Sequence, residues 1–196
     1  MKKYLERLPK EIRELVYFTK DLAAYRGMPA YLVGGFVRDL ILGVRNFDLD
    51  IVVVGDGIKF AEYFSRALKA KLIRHKRFGT ATVVLKPGLK IDIATARSEF
   101  YPHPAHLPVV KPGSLKDDLF RRDFTINAMA ISLVEKDFGR LIDCYGGKND
   151  LKARSIRVLH ALSFIDDPTR IIRAIRFEQR FDFKIDPDTL KLLKEA

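Results

Sequence analysis

Two polar interruptions set into apolar runs constrain this chain most: Val33-Gly34-Gly35-Phe36-Val37-Arg38-Asp39, and Asp48-Leu49-Asp50 at the head of Ile51-Val52-Val53-Val54. The run after Asp50 reads as a buried strand, being short, β-branched and closed by Gly55-Asp56-Gly57. Residues two apart on a strand face one side, so Asp48 and Asp50 project together from its start. The glycine pair follows the short strand Tyr31-Leu32-Val33 and opens a predicted helix reaching about Leu42, with Gly43 as its stop. A helix N-terminus beside paired carboxylates offers a seat for phosphate and ligands for a cation. Metal-assisted phosphoryl transfer needs both.

The rest of the pattern predicts strands with a few helices, then helices. An amphipathic helix spans 9–26, and a helix from 57 ends near Ala70. Strands at 80–85 and 90–94 flank Pro87-Gly88 as a hairpin. Pro102 to Pro112 reads as a long loop. Asp123 to Ala130 is predicted to be helical and to lead into a strand at 130–134. From Leu151 onward the pattern is mostly helical. This order suggests an α+β head and a small helical unit. The 196 residues suffice for one large domain or two small ones.

Charge narrows the partners. With 36 basic and 25 acidic residues the net charge is +11, which favours nucleic acid or an anionic membrane surface. No apolar run approaches the roughly 20 residues of a membrane span, and the first residues do not read as a secretory signal. The single cysteine, Cys144, fits a reducing cytoplasm and reads as a buried structural thiol.

Three further groups carry chemistry. Asp92 lies between Ile91 and Ile93 in a predicted strand, where an acid is unfavourable unless paired or ligating. With Asp48 and Asp50 it would give three acids from two strands, enough for two Mg²⁺ ions; a salt bridge to an arginine is the competing reading. Arg121-Arg122-Asp123-Phe124-Thr125-Ile126-Asn127 places arginines, Asp123 and Asn127 on one helical side, suited to phosphate and sugar hydroxyls. A capped surface helix competes. Arg170, Arg173, Arg176 and Arg180 form a stripe at helical spacing, with Asp167 one turn before Arg170. A solvated basic face competes here, but arginine without lysine favours phosphate or base contacts.

These blocks resemble the class II tRNA nucleotidyltransferase and bacterial poly(A) polymerase family, within the polymerase-beta-like nucleotidyltransferases. The matching segments are Gly34-Gly35-Phe36-Val37-Arg38-Asp39, Asp48-Leu49-Asp50, Asp92 to Arg97, Asp118 through Ala128, Asp143 to Asp150, and Asp166-Asp167-Pro168-Thr169-Arg170. In the last, Asp166 stands where the family usually has Glu. The resemblance implies that Asp48 and Asp50 bind catalytic Mg²⁺, with Asp92 a further catalytic carboxylate. It implies that Gly34, Gly35 and Arg38 contact the triphosphate, and that Arg122, Asp123 and Asn127 approach phosphate and ribose. Asp167 and Arg170 would read the base, supported by Arg173 and Arg176. The implied reaction is attack of a tRNA 3′-hydroxyl on the α-phosphate of CTP or ATP, adding CCA, CC or A. A poly(A) polymerase of the same family and a non-catalytic RNA-binding module are the alternatives.

The implied fold is an α+β nucleotidyltransferase head over residues 29–145 and an all-helical neck over 146–196, preceded by an N-terminal helix or linker over 1–28. The helical pattern is still running at Ala196, which suggests a truncated neck and weak tRNA binding by this chain alone.

Overall fold

In the computed structural model, which describes residues 1–85 and 88–196, the apolar runs of the sequence assemble one seven-stranded sheet. The chain enters through a helical turn, α1 (Lys2–Leu5), and a long helix, α2 (Lys10–Arg26), that stops at Gly27. Strand β1 (Ala30–Val33) runs straight into α3 (Gly34–Leu42). Strand β2 (Leu49–Val53) leads to α4 (Gly57–Ala67), whose first turn is capped by Asp56 accepting from the Lys59 N–H at 2.9 Å. Strands β3 (Lys71–His75), β4 (Thr80–Val84) and β5 (Lys90–Thr95) follow. A separate hairpin is formed by β6 (Arg97–Phe100) and β7 (Val109–Pro112), then α5 (Leu115–Phe120) leads to β8 (Met129–Ser132) and β9 (Leu141–Asp143). The C-terminal part comprises α6 (Gly147–Ala153), β10 (Ser155–Ile156), α7 (Ser163–Asp166), α8 (Thr169–Phe181), β11 (Lys184–Ile185) and α9 (Pro187–Glu195).

The sheet order is β3-β4-β5-β2-β1-β8-β9. Strands β2 and β5 run parallel and the other neighbours antiparallel, a mixed sheet in an α+β fold. Period-two alternation divides its side chains. Leu32, Ile51, Val53, Ala81, Val83, Ile91 and Ile93 share a core with Phe36 of α3 and with Phe60 and Phe64 of α4. Leu5, Leu8, Ile12 and Val16 of the N-terminal segment join that core, as do Phe164, Phe177 and Phe183 of the C-terminal helices. On the other face Val33, Val52, Ala96 and Ala130 pack with Leu119 of α5.

Several expectations are corrected. Residues 123–130 are not an α-helix: Thr125–Asn127 form one 3-10 turn, and the helix of this region is α5, closed at its start by a Ser114–Asp117 capping box. Phe124, Ile126 and Met129 drive the difference, since all three are fully buried and a regular helix has only one core-facing stripe. The helix from 57 ends at Ala67, and the next residues form the edge strand β3, which alternation did not reveal because its side chains are largely exposed. Val109–Pro112, expected to be loop, pairs with β6. Cys144 is exposed, so it is no core thiol. Strands β4 and β5 pair as expected of a hairpin, but Pro87 of its expected turn lies outside the described residues. No helix among the described residues is long and apolar enough to cross a membrane.

Candidate active site

A cavity of about 750 Å³ opens where the starts of α3 and β2 face α8. All of Gly34, Gly35, Arg38, Asp48, Asp50, Asp92, Arg122, Asp123, Asn127, Asp167, Arg170, Arg173 and Arg176 line it. The sequence singled out every one of these residues, although they come from segments far apart in the chain.

The carboxylate end is built by the sheet. Asp50 is the second residue of β2, and its register partner on parallel β5 is Asp92. Burial pushes the Asp50 carboxyl up to about 6; Asp92 and Asp48 push the same way, while Arg122 and Arg38 oppose them. The two guanidiniums do not offset that burial, and the hard oxygen donors of such a carboxylate fit a divalent cation such as Mg²⁺. Among the described residues no three acidic, histidine or cysteine groups converge tightly enough to hold an ion by themselves. Asp48 stands exposed just before β2, and Asp92 is exposed and accepts a hydrogen bond from the Thr82 hydroxyl at 2.6 Å, with no arginine partner. The geometry matches the habit of Mg²⁺, which takes one or two protein carboxylates and completes its shell with water and substrate phosphate.

The phosphate end is built by α3 and the segment after α5. Gly34 opens α3 at φ +66°, and a Cβ there would lie 2.8 Å from Arg122 Nη1, so only glycine lets the arginine approach. Asp118, fully buried, holds both neighbouring arginines: Arg121 Nη2 donates at 2.8 Å and Arg122 Nη2 at 2.9 Å. Arg122 Nε is buried without a partner, alone among the side-chain nitrogens and oxygens of the described residues. Burial works to raise the Asp118 carboxyl, but Arg122 and Arg121 overcome it and hold the group below its ordinary value. Stability from Asp118 is therefore fully present above the ordinary carboxylate value of about 3.9 and is lost as pH falls through the lower folded value. Asp118→Asn is expected to flatten the fall of unfolding free energy below about pH 4, measured by urea denaturation.

A hydrogen-bonded chain ties the base end to the carboxylates. Arg173 Nε on α8 donates to Asp123 Oδ2 at 2.9 Å, and Asn127 Nδ2 donates to Asp123 Oδ1 at 2.9 Å. Arg38 Nη1 donates to Asn127 Oδ1 at 2.6 Å, and its Nε to Asp39 Oδ1 at 2.8 Å. Asn46 Nδ2 donates to Asp39 Oδ2 at 2.7 Å, and the Asp48 N–H donates to Asn46 Oδ1 at 3.0 Å. The 3-10 turn thus brings Asp123 and Asn127 together as the sequence suggested, by another route than a helix. Asn46 carried no signal in the sequence, because its role comes only from the fold.

At the far end Arg170 is buried, and its arms are fixed by Ser163 Oγ at 2.6 Å and the Arg121 carbonyl at 3.0 Å. Its Nε stands 3.6 Å from Asp167 Oδ2, so the expected pair forms. Arg170 is the buried root of the arginine stripe, with Arg173 and Arg176 exposed towards the cavity. Tyr101 and Glu99 also line this end, and the sequence assigned neither of them a role at the site. Burial, with Glu99 beside it, pushes the Tyr101 hydroxyl up to about 12, so it stays protonated and donates to Glu99 Oε2 at 3.1 Å.

Residues 30–157 match the family model described as the poly A polymerase head domain. The chain is 53% identical over 169 residues to the A-adding tRNA nucleotidyltransferase of Geobacter sulfurreducens, covering 86% of this chain and 19% of that protein. A solved CCA-adding enzyme in an apo form superposes with TM-score 0.94 at 56% identity, covering 100% of this chain and 46% of that one. The Thermotoga maritima CCA-adding enzyme complexed with tRNA superposes with TM-score 0.88 at 54% identity, covering 99% of this chain and 44% of that one. The chain therefore spans less than half the length of each.

Proposed function

The chain belongs to the poly A polymerase head domain family, and on that premise we propose that it is the catalytic portion of a template-independent nucleotidyltransferase acting on the 3′ end of tRNA. One observation carries the reading: a single cavity joins Asp48 and Asp50 to Gly34, Arg122 and the Asp167–Arg170 pair. Carboxylates for metal, donors for a triphosphate and a fixed donor–acceptor pair for a base occupy one space.

In this reading Asp48 and Asp50 would hold Mg²⁺, two ions in all, and the bound cations would supply neutralisation of the negative charge on the α-phosphate and the leaving pyrophosphate. The residues of the chain do the rest. The α3 N-terminus at Gly34 and Gly35, with Arg122 and Arg38, seats the triphosphate. Asp123 and Asn127 position the ribose. Asp167 and Arg170 replace a template: one acceptor and one donor, held rigid by Thr169, Ser163 and the Arg121 carbonyl, meet the edge of CTP or ATP. Arg173 and Arg176 support them. The RNA 3′-oxygen forms the new bond to the α-phosphorus, the bond to pyrophosphate breaks, and the hydroxyl proton is released.

Residues 29–145 would form the catalytic head and 146–196 the start of a neck, with 1–28 as an N-terminal helical segment. A cytoplasmic enzyme fits the lone exposed cysteine. Relatives differ in which nucleotides they add, as the names A-adding and CCA-adding state. The test is incubation with Mg²⁺, labelled CTP or ATP, and tRNAs lacking CCA, ending in CC, or complete. Label entering only incomplete tRNAs is expected. Long adenosine tracts on every RNA would mark a poly(A) polymerase, and no incorporation would mark a binding module.

A further inference from the structure

The segment between α3 and β2 carries Asp48 without the support that a sheet gives. Asp50 is fixed by β2 and its neighbour β5, but Asp48 lies one residue before the strand. Residues 44–48 form neither helix nor strand, and Val44, Arg45, Phe47 and Asp48 are all exposed. A second cavity, of about 590 Å³, separates this loop from Tyr4, Arg7 and Leu8 of the N-terminal segment, so packing does not hold the loop from that side. Asn46 is the exception within the loop. It is partly buried and lines both this cavity and the first.

The Asn46 amide makes two bonds of opposite sense. Its Oδ1 accepts from the Asp48 N–H at 3.0 Å, and its Nδ2 donates to Asp39 Oδ2 at 2.7 Å. The first bond is an Asx turn, which is ordinary loop chemistry. The second reaches back to a rigid element. Asp39 is fully buried in α3, and its carbonyl also accepts from the Val44 N–H at 2.9 Å. Its other carboxylate oxygen, Oδ1, accepts from Arg38 Nε at 2.8 Å. An ionised carboxylate only accepts and an N–H only donates, so a side chain between them must carry a donor and an acceptor together.

We infer that Asn46 is a positioning residue for the metal: it hangs Asp48 from Asp39, the same buried carboxylate that orients Arg38. The inference rests on the nucleotidyltransferase reading, in which Asp48 would hold Mg²⁺ and Arg38 would meet the triphosphate, and it gives the two seats one anchor. Mg²⁺ demands near-ideal octahedral geometry, so a carboxylate on a loose loop serves it poorly. Groups that orient a ligating side chain contribute about 10–100-fold to metal affinity.

The test titrates Mn²⁺ into the intact, nucleotide-free chain and follows the bound ion by electron paramagnetic resonance, with melting curves to show that each variant is folded. Asn46→Ala removes both bonds and should raise the Kd for Mn²⁺ about tenfold. Asn46→Ser is also too short to reach Asp39, but its hydroxyl can accept from the Asp48 N–H, so the Kd should rise only about threefold. In turnover, Asn46→Ala should raise the Mg²⁺ concentration for half-maximal nucleotide addition about tenfold, and lower the rate at saturating Mg²⁺ by less than about threefold. A residue with a merely structural role would lower that rate at every Mg²⁺ concentration. A wild-type Kd in the alanine variant, or equal losses in the alanine and serine variants, would overturn the inference and leave the nucleotidyltransferase reading standing. A wild-type chain that binds no Mn²⁺ would overturn both.

Discussion

Asp50→Asn should abolish nucleotide addition while leaving the chain folded. The substitution keeps the shape of the side chain and removes the charge. Losing a ligand that stabilises transition-state charge costs several kcal/mol, a fall of about a thousandfold or more in turnover. The folded state should not suffer. Burial and two neighbouring acids make the Asp50 carboxylate unfavourable, and its folded value near 6 lies above the ordinary one. A raised carboxyl value means that stability is present at low pH and lost as pH rises through about 6. Asn removes that loss, so in metal-free buffer at pH 8 the variant should melt at or above the wild-type temperature. Turnover from labelled nucleotide and a melting curve check both halves, and a variant that loses both would mean that Asp50 is structural.

Arg38→Ala should be the most damaging change to stability within the site. Asp39 is fully buried, and Arg38, almost as buried, donates to it at 2.8 Å. The guanidinium also lies 4.6 Å from the Phe181 ring centroid and 5.2 Å from that of Phe177, so it packs the head against α8. Removing one partner of a buried ion pair leaves the other charge uncompensated, at about 3–5 kcal/mol. For a chain of this size that lowers the melting temperature by about 10 °C or more. The hydrogen-bonded chain from Arg173 to Asp48 passes through Arg38, so nucleotide affinity should fall with it. The double variant Arg38→Met with Asp39→Leu, which removes both charges, should recover much of the stability and none of the affinity. Recovery of both would show that Arg38 does not touch the nucleotide.

The sheet was largely legible because its strands are short, β-branched and bounded by glycine and proline. The strand-to-helix switch was plain from Tyr31 to Leu42, and the short β-branched run was plain from Asp48 to Val54. Legibility failed where tertiary burial overrode local pattern. Phe124, Ile126 and Met129 are buried together, which a regular surface helix does not allow, and the chain answers with a 3-10 turn. Strand β3 was hidden for the opposite reason, since its polar, exposed edge carries no alternating signal. The site residues were readable because nucleotide chemistry demands charged and glycine residues at fixed spacing. Asn46, Tyr101 and Glu99 were not readable, because nothing local distinguishes them from surface polar residues until the fold brings them to the cavity.

The stoichiometry of pyrophosphate release tests the central claim most directly. With Mg²⁺, CTP or ATP, and an incomplete tRNA, one pyrophosphate should appear for each nucleotide joined to the RNA. Replacing the terminal ribose by its 3′-deoxy form should stop both, because the attacking oxygen is gone. Release of inorganic phosphate and nucleoside diphosphate in place of pyrophosphate, or extension of the 3′-deoxy RNA, would contradict attack of a 3′-hydroxyl at the α-phosphorus.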